Sequence, residues 1–578
     1  MRAGSLFQVK LWGTEVEMQG NCSSVYAVGA ATMLLCSIGI VHKCPCPGGH
    51  CNGKGLNTCL LYFPTGHSTR EMPSSSSSSS VKQNLRDHLL AALSTLPGTR
   101  EHHLHVLVSA PRKSNALFPF ATPPKPPRVY LQDILVLCSE RAVTGEDPPR
   151  VIVSAIEASV YVVPPTKCAV FYVSKVDSTG QGSKPAPTST LVQALIGYYV
   201  DARTRPVQAE NVWVQLFARA QEQYLFPNSK EWSGKKALGD TGLCAWWKRV
   251  LTKVVLDLEE KEKEKEKVKV KMYYILPGFS QEEAEHALRI ATPASASTLG
   301  QPRNGVWEYG HPYSQTDIPL PCTPPDGDGK VKNLGHFIPS FDDDPKSRFI
   351  DEIAYTTDGD IKSPKRKRAR TNTNESTRTT TTESSSEEQK PLGELCKVTA
   401  DEFWERMSFR QECVAGAVTG FFSVMVSSVP ECLSGESPLA PQAGQVAGQV
   451  HKRIMTTLLT GVEFSNFERA VKGTETVEGA IRGLCEGIPC TTRRPRTPEP
   501  RERLLVAPST PPPRRRGRVE AEISPNPFPE PVASLETYHS HIYGSVETRN
   551  AMQNKEAEPQ KGVAVTVLSV RRKNRLIK

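Results

Sequence analysis

Aromatic and basic residues crowd into one short stretch of the sequence, Phe217–Val250. It contains three of the chain's seven tryptophans, Trp232, Trp246 and Trp247, beside the cations Arg219, Lys235, Lys236, Lys248 and Arg249. Flat rings and fixed cations suit a ligand with an adenine ring and phosphates, such as coenzyme A. The alternative is that the rings are core and the cations face solvent. Residue types alone favour that alternative by about two to one.

A second candidate is FDDDPKSRF, where Asp342, Asp343 and Asp344 precede Pro345 and Lys346. The proline favours an extended backbone at Asp344. Carboxylates just before a helix stabilise the positive end of its dipole, and this structural role is favoured by about two to one. The alternative is a carboxylate placed to handle a proton in a catalytic site.

A third candidate is Asp177, which ends a predicted strand and enters the glycine-containing loop STGQGSK. Such a strand end can offer backbone amides to a phosphate or an acyl carbonyl. An ordinary turn would have the same composition, so the residues alone favour the turn.

Strands and helices alternate around these candidates. Apolar residues at helical spacing predict a helix from Leu85, and runs rich in valine predict strands. The predicted strands are His103–Ala110, Val151–Val163 and Lys167–Val176, and further helices are predicted at Leu191–Val200, Val207–Ala220, Val450–Leu459 and Val477–Cys485. The segment Phe403–Ser428 predicts a helix and then an apolar stretch that closes the core.

The tandem tryptophans fall on another predicted helix, capped by Asp240 or Thr241. Its apolar stripe comprises Leu243, Trp247, Val250, Leu251, Val254 and Leu258. Neighbouring helical residues point about 100° apart. We therefore expect Trp247 to face the interior and Trp246 to meet a ligand at the flank.

The composition indicates one large domain with disordered appendages. Prolines number 47 of 578 residues, 23% of the residues are charged, and polar tracts separate the apolar segments. We expect an extension at residues 1–80, a domain at 81–488 with a disordered insert at about 358–393, and a basic linker and tail at 489–578. A further polar run, Glu259–Lys271, alternates in charge and predicts a solvated insert.

The net charge of +10 favours an acidic partner, such as DNA, a chromatin surface or an acidic chaperone. A basic cluster at Lys365–Arg370 predicts a nuclear localisation signal. Because no motif that reads a DNA groove accompanies it, direct DNA binding is not expected.

The amino-terminal extension carries two further patterns. Cys44, Cys46, Cys51 and Cys59 match no common zinc spacing, so we predict no metal site, with about one chance in ten for a cluster. The apolar segment Val25–Val41 is at the lower length limit for a membrane span and lacks a preceding basic flank. We expect no membrane association.

Several distinctive blocks occur in order between Val81 and Ile488: FARAQEQYLFPNS, the tandem tryptophan, FDDDPKSRF and SFRQE. With these blocks the chain resembles the fungal, chaperone-dependent histone H3 lysine acetyltransferases of the regulator of Ty transposition type. The resemblance implies an α/β fold, a single mixed-sheet acetyltransferase domain surrounded by helices and similar to that of the CBP-type coactivators. It also implies acetyl-CoA as co-substrate.

The resemblance also assigns roles to residues. Asp344 would be the catalytic carboxylate, Trp247 would line the channel for the substrate lysine, and Lys346 would be autoacetylated. The implied cofactor contacts are Val176, Asp177, Ser178, Pro185, Ala186, Pro187, Thr188, Ser189, Phe217, Arg219, Gln221, Lys236, Ala237, Leu238 and Trp246.

The implied activity is transfer of acetyl groups to lysines of histone H3, within H3–H4, stimulated by histone chaperones in the nucleus. The implied target is chiefly the lysine at the edge of the H3 globular core, with tail lysines secondary. A non-catalytic chromatin scaffold is the alternative. It would need neither the tryptophan pair nor Asp344, so their presence favours an enzyme.

Overall fold

The structure is a computed structural model. It describes residues 83–121, 128–143, 148–261, 268–293, 300, 302–303, 305–324, 333–357, 360–361, 392–414, 417–429, 437–486 and 531–551. The predictions for residues 1–80, including the four cysteines and Val25–Val41, lie outside these residues, as does the basic cluster Lys365–Arg370. None of the helices in the described part is long and apolar enough to cross a membrane.

Ten α-helices lie in the described part. They are α1 (Leu85–Leu93), α2 (Thr188–Val200), α3 (Asp240–Lys261), α4 (Gln281–Ala291), α5 (Pro345–Tyr355), α6 (Ala400–Met407), α7 (Gln411–Val414), α8 (Gly448–Thr460), α9 (Phe467–Glu486) and α10 (Leu535–Thr537). A π-helical turn, Tyr538–Ile542, follows α10.

The strands in this part are β1 (Gly98–Ser109), β2 (Arg112–Ser114), β3 (Val129–Ala142), β4 (Val151–Val163), β5 (Cys168–Ser178), β6 (Asn211–Ala218), β7 (Lys269–Ile275), β8 (Trp307–Tyr309), β9 (Thr356–Thr357), β10 (Asp360–Ile361), β11 (Gly420–Ser427), β12 (Gln445–Val446) and β13 (Tyr543–Asn550).

One mixed sheet of 11 strands organises the domain, in the order β12-β1-β3-β4-β5-β6-β11-β7-β8. Strand β13 also pairs with β1, and β2 pairs with β3. The β5–β6 and β7–β8 pairs are parallel, whereas β3–β4, β4–β5 and β6–β11 are antiparallel. The predicted α/β mixed-sheet fold is confirmed.

Apolar residues on both faces of the sheet form the core. In β3, Ile134 and Val136 pack with the cluster that contains α1, α2 and α3. Their neighbours Leu135 and Leu137 pack on the other face with α8 and α9. Successive side chains of a strand point to opposite faces, so a strand covered on both sides must be apolar throughout.

This double burial explains the main errors in the predicted elements. The expected helix Val207–Ala220 is wrong, because Asn211–Ala218 is the central strand β6. Its Trp213 packs on one face while Val212 and Val214 pack on the other. Strand β3 was not predicted at all. A continuous apolar run does not distinguish a fully buried strand from a buried helix.

Other predicted elements are confirmed. The strand Val151–Val163 is β4, and the tryptophan-bearing helix is α3. The apolar segment after α6 is β11, which lies between β6 and β7. The predicted solvated insert is shorter than expected, since α3 continues to Lys261 and β7 begins at Lys269.

The predicted carboxy-terminal linker contains an ordered piece. Residues 531–551 include α10 and β13, and β13 pairs with β1 from Gly98 to His105. His103 Nδ1 lies 2.8 Å from the Tyr543 hydroxyl, and His105 Nε2 lies 3.1 Å from the Tyr538 hydroxyl. Backbone pairing and these polar contacts fix the segment, although its sequence is rich in polar residues.

Candidate active site

A cavity of about 560 Å³ opens where strand β5 ends beside helix α3. Its other walls are the residues after β6 and the loop that leads into α5. The cavity therefore collects segments that are distant in sequence, and two of them contain the candidate stretches identified above.

Asp177 holds the strand end and the following loop together. Its Oδ2 accepts hydrogen bonds from the backbone N–H groups of Tyr224 and Leu225, at 2.8 and 2.9 Å. Its Oδ1 accepts from Ser178 N and from Lys235 Nζ, each at 2.8 Å. Both members of the Asp177–Lys235 ion pair are almost fully buried. The Asp177 carboxylate thus holds the end of β5, the Tyr224–Leu225 backbone and Lys235 together in the cavity wall.

The backbone at Gly180 also packs closely against that of Lys235 in the same wall. Gly180 has φ of +74°, and a Cβ there would lie 2.5 Å from the Cα of Lys235. The indole N–H of Trp232 donates to the Gly180 carbonyl at 3.2 Å. Trp232 is therefore a structural residue and does not line the cavity. This position fits the structural alternative given above for the rings of this stretch.

The tandem tryptophans both line the cavity. Their rings meet edge to face, with centroids 4.7 Å apart. Trp247 is buried in the core cluster of α3, whereas Trp246 is only partly buried. The expected division, with Trp247 toward the interior and Trp246 at the flank, is found.

Two cations of the same stretch lie elsewhere. Lys248 Nζ sits 3.8 Å from the centroid of the Tyr274 ring, and burial lowers its pKa to about 8. Lys248 and Arg249 line a separate hollow beside α4. Neither residue is among those that line the cavity beside Trp246.

The amino terminus of α2 reaches the cavity through Thr188 and Ser189. Pro187 occupies the capping position, and no side chain caps the helix. The Thr188 hydroxyl is buried and has no hydrogen-bond partner in the described part of the chain. Uncapped amides at a helix start can bind an anion.

Asp344 and Lys346 form a buried pair behind the cavity wall. Asp344 Oδ1 accepts from Lys346 N at 2.9 Å and caps α5, and Asp344 Oδ2 lies 3.2 Å from Lys346 Nζ. Neither residue is among those that line the cavity, although Pro345 between them is. Burial raises the pKa of the Asp344 carboxyl, and the Lys346 ammonium opposes that rise.

Within the aspartate run, the carboxylates that line the cavity are Asp342 and Asp343. Asp343 has a φ of +63°, which is uncommon for a residue with a side chain. Lys175 Nζ on the opposite wall lies 3.3 Å from Asp343 and 2.9 Å from Glu157. Burial lowers the pKa of Lys175, but these two carboxylates reverse the effect and raise it overall.

Most residues of the predicted site line this one cavity. They are Val176, Asp177, Ser178, Ala186, Thr188, Ser189, Phe217, Arg219, Gln221, Lys236, Ala237, Leu238, Trp246 and Trp247. Pro185, Pro187, Asp344 and Lys346 are absent from the described lining. Their assigned roles, like those of the lining residues, remain predictions.

Lys235, Asp342 and Asp343 are named from the sequence without an assigned role, and further residues of the lining are missed, including Tyr172, Lys175, Tyr224 and Arg348. Lys175 stands next to the predicted contact Val176 and could have been found from that position. Tyr224 lies in the YLFPNS turn, and its hydroxyl donates to the Arg219 carbonyl, a contact that spacing alone does not reveal.

Comparison with known proteins identifies a histone acetyltransferase KAT11-type domain over residues 202–480. The chain is 30% identical over 374 residues to a histone acetyltransferase rtt109 of Aspergillus flavus. The matched region covers 60% of this chain and 57% of that protein. It is 28% identical over 264 residues to a histone acetyltransferase rtt109 of Schizosaccharomyces pombe, covering 44% of this chain and 52% of that protein. The chain thus spans little more than half the length of these curated relatives.

A solved structure has the same fold. The crystal structure of Rtt109 from Aspergillus fumigatus superimposes with a TM-score of 0.52 over 81% of this chain and 100% of the other, at 23% identity. The lining residues from Arg219 onward in the sequence fall within the region that matches the domain family. They include both tryptophans and the aspartate loop.

Proposed function

We propose that the chain is a KAT11-type histone acetyltransferase and that it transfers acetyl groups from acetyl-CoA to lysine side chains of histone H3. The main support is the shared cavity. Trp246 and Trp247 on α3, the end of β5 and the Asp342–Asp343 loop all face one hollow.

The donors around the cavity fit acetyl-CoA. Arg219 and Lys236 supply positive charge, and the uncapped start of α2 supplies amides for phosphate groups. Phe217 and Trp246 supply ring surfaces for the adenine or the pantetheine arm. When bound, acetyl-CoA would supply a thioester whose carbonyl carbon is open to attack by an amine.

The protein must make the substrate lysine nucleophilic. A free lysine has a pKa of about 10.4 and is charged at neutral pH. Contact with the two indoles removes water from the ammonium, which lowers its pKa. The backbone amides near Ser178 can orient the acyl carbonyl, and a cavity carboxylate can accept or relay the proton lost from the amine.

Asp344 supports this site from behind. Its carboxylate caps α5 and pairs with Lys346, so its contacts favour a positioning role. The resemblance predicts it as the catalytic carboxylate, and Asp344→Asn separates the two roles. A modest loss of kcat fits positioning, whereas near-abolition with an intact fold fits a base.

Lys346 is the proposed site of autoacetylation. Its ammonium is buried between the rings of Phe341 and Phe421, at 5.8 and 5.2 Å. Acetylation would neutralise a charge that is costly to bury. Peptide mass spectrometry of active protein should detect acetyl-Lys346. A fully unmodified, active enzyme would contradict this role.

The finer assignments rest on the similarity to histone acetyltransferases. We infer that the chief target is the lysine at the edge of the H3 globular core, with tail lysines secondary. Histone chaperones would bind and stimulate the enzyme. The setting would be the nucleus, in chromatin assembly, DNA replication and repair, with no membrane partner and no direct DNA contact.

Labelled acetyl-CoA and H3–H4, incubated with and without a histone chaperone, test the proposal. We expect transfer to H3 that rises with the chaperone, and loss of transfer in a Trp246→Ala, Trp247→Phe double variant. Binding of H3–H4 without any transfer would favour the alternative, a chromatin scaffold.

A further inference from the structure

Another hollow, of about 750 Å³, lies between the end of β7, strand β8 and helix α6. Its lining includes three carboxylates and three aromatic rings: Glu308, Asp401, Glu405, Tyr273, Tyr309 and Trp404. Neither lysine nor arginine occurs among the described residues that line it. We name it the acidic-aromatic hollow.

Its negative charge is only partly neutralised from nearby. Asp401 meets His311 Nε2 at 2.9 Å. Lys271 is not among the residues that line the hollow, and its Nζ lies 3.6 Å from Glu308 and 3.1 Å from Asp317. Within the described residues, no ion pair engages Glu405. A cation that entered the hollow would therefore meet at least one available carboxylate.

Trp404 provides an independent sign of a missing partner. It is 5% exposed, and its indole N–H has no acceptor among the described residues. Leaving a buried donor without a partner is unfavourable. A carbonyl oxygen of a bound peptide would satisfy it, while the ring and the tyrosines would pack on the stem of a long side chain.

The hollow is one aromatic layer away from the cofactor cavity. The Trp404 and Phe421 rings are 5.0 Å apart, and Phe421 and Phe217 are 6.3 Å apart. Phe217 lines the cavity itself. A peptide bound at Trp404 would thus contact the aromatic layer that supports the site of acetyl transfer.

We propose that the acidic-aromatic hollow docks a lysine- or arginine-bearing segment of the histone substrate, other than the segment that carries the acceptor lysine. This proposal rests on the proposed acetyl transfer to histones. The carboxylates bind the cation, the rings bind its aliphatic stem, and the Trp404 N–H binds the peptide backbone.

Charge reversal on α6 tests the proposal with a matched control. Glu405 faces the hollow, whereas Glu402 on the same helix pairs with Arg406 outside it. In the full chain, Glu405→Lys should raise KM for H3–H4 about fivefold to tenfold at low salt and leave KM for acetyl-CoA unchanged. The effect should shrink as salt is added, and Glu402→Lys should stay within about twofold.

Two results would overturn the proposal. An unchanged KM for H3–H4 in Glu405→Lys would show that the hollow does not bind substrate. A lower KM would indicate that the chain's own basic cluster, Lys365–Arg370, normally occupies it.

Direct binding keeps this test separate from acetyl transfer. A fluorescent H3 tail peptide should bind Glu405→Lys about fivefold more weakly than wild type in an anisotropy titration. If wild type binds this peptide but transfers no acetyl group, the proposed function fails and the docking site stands. Equal binding by wild type and Glu405→Lys would refute the docking site but leave the proposed acetyl transfer intact.

Discussion

The ammonium of Lys346 lies 3.2 Å from the carboxylate of Asp344, and both side chains are buried beside the cavity at the end of β5. The rings of Phe341 and Phe421 enclose the ammonium. A buried ion pair gains little net stability, but removal of one partner leaves an uncompensated charge. The loop that ends in Asp344 therefore depends on the charge state of Lys346.

Asp344→Asn should lower the free energy of unfolding by about 3 kcal/mol in protein whose Lys346 is unmodified. The asparagine can still cap α5 but cannot neutralise the ammonium. Urea denaturation measures the loss, and mass spectrometry fixes the state of Lys346. Asp342→Asn, an exposed change in the same loop, should cost less than about 0.5 kcal/mol. Equal losses in the two variants would refute the importance of the pair.

Gly180→Ala should damage the cofactor wall, because φ is +74° and the new Cβ would lie 2.5 Å from the Lys235 backbone. We expect a loss of stability of more than about 2 kcal/mol and weaker acetyl-CoA binding. Gly479→Ala is the matched control, since a Cβ there meets nothing within 4 Å in helix α9. It should stabilise by about 0.5–1 kcal/mol. Thermal melts and acetyl-CoA titrations distinguish the two, and a neutral Gly180→Ala would contradict the close approach.

Acidification should release the carboxy-terminal segment. Burial lowers the pKa of His103 to about 4 and that of His105 to about 3, from an ordinary value of 6.5. The unfolded chain therefore binds more protons than the folded chain below pH 6.5, so stability is full above that pH and falls as pH drops toward 4. Between pH 7 and pH 5 we expect a loss of about 1–2 kcal/mol for each histidine.

Hydrogen exchange at β13 across this pH range measures the release, because both histidines contact the tyrosines of the segment. A His103→Gln, His105→Gln variant should show a flatter dependence on pH. If the variant keeps the wild-type slope, other groups control the transition.

Local pattern was sufficient for much of the fold. Helix α3 was predictable because its apolar stripe recurs at helical spacing, and β4 because valines fill a bounded run. Strand β6 was not, since burial on both faces erases the alternation that marks a strand. Strand β13 was missed because backbone pairing with β1, a contact distant in sequence, fixes a polar segment.

The site was predictable only in part, for a related reason. Family motifs located the tryptophans and the strand end, but not which aspartate of the DDD run faces the cavity. That choice depends on the cap of α5, which turns Asp344 inward, and on the positive φ of Asp343. Lys235 was noted only as a cation, because its ion-pair partner Asp177 is distant in sequence.

The tandem tryptophans should separate stability from cofactor binding. Trp247 is 5% exposed and packs in the α3 core, so Trp247→Ala should cost about 3–5 kcal/mol of unfolding free energy. Trp246 is only partly buried, so Trp246→Ala should cost less, about 1–2 kcal/mol, yet raise KM for acetyl-CoA about tenfold through the lost ring contact. Urea denaturation and initial rates at varied acetyl-CoA give both quantities. The reverse pattern, with Trp247 controlling KM and Trp246 controlling stability, would show that the helix presents its other face to the ligand.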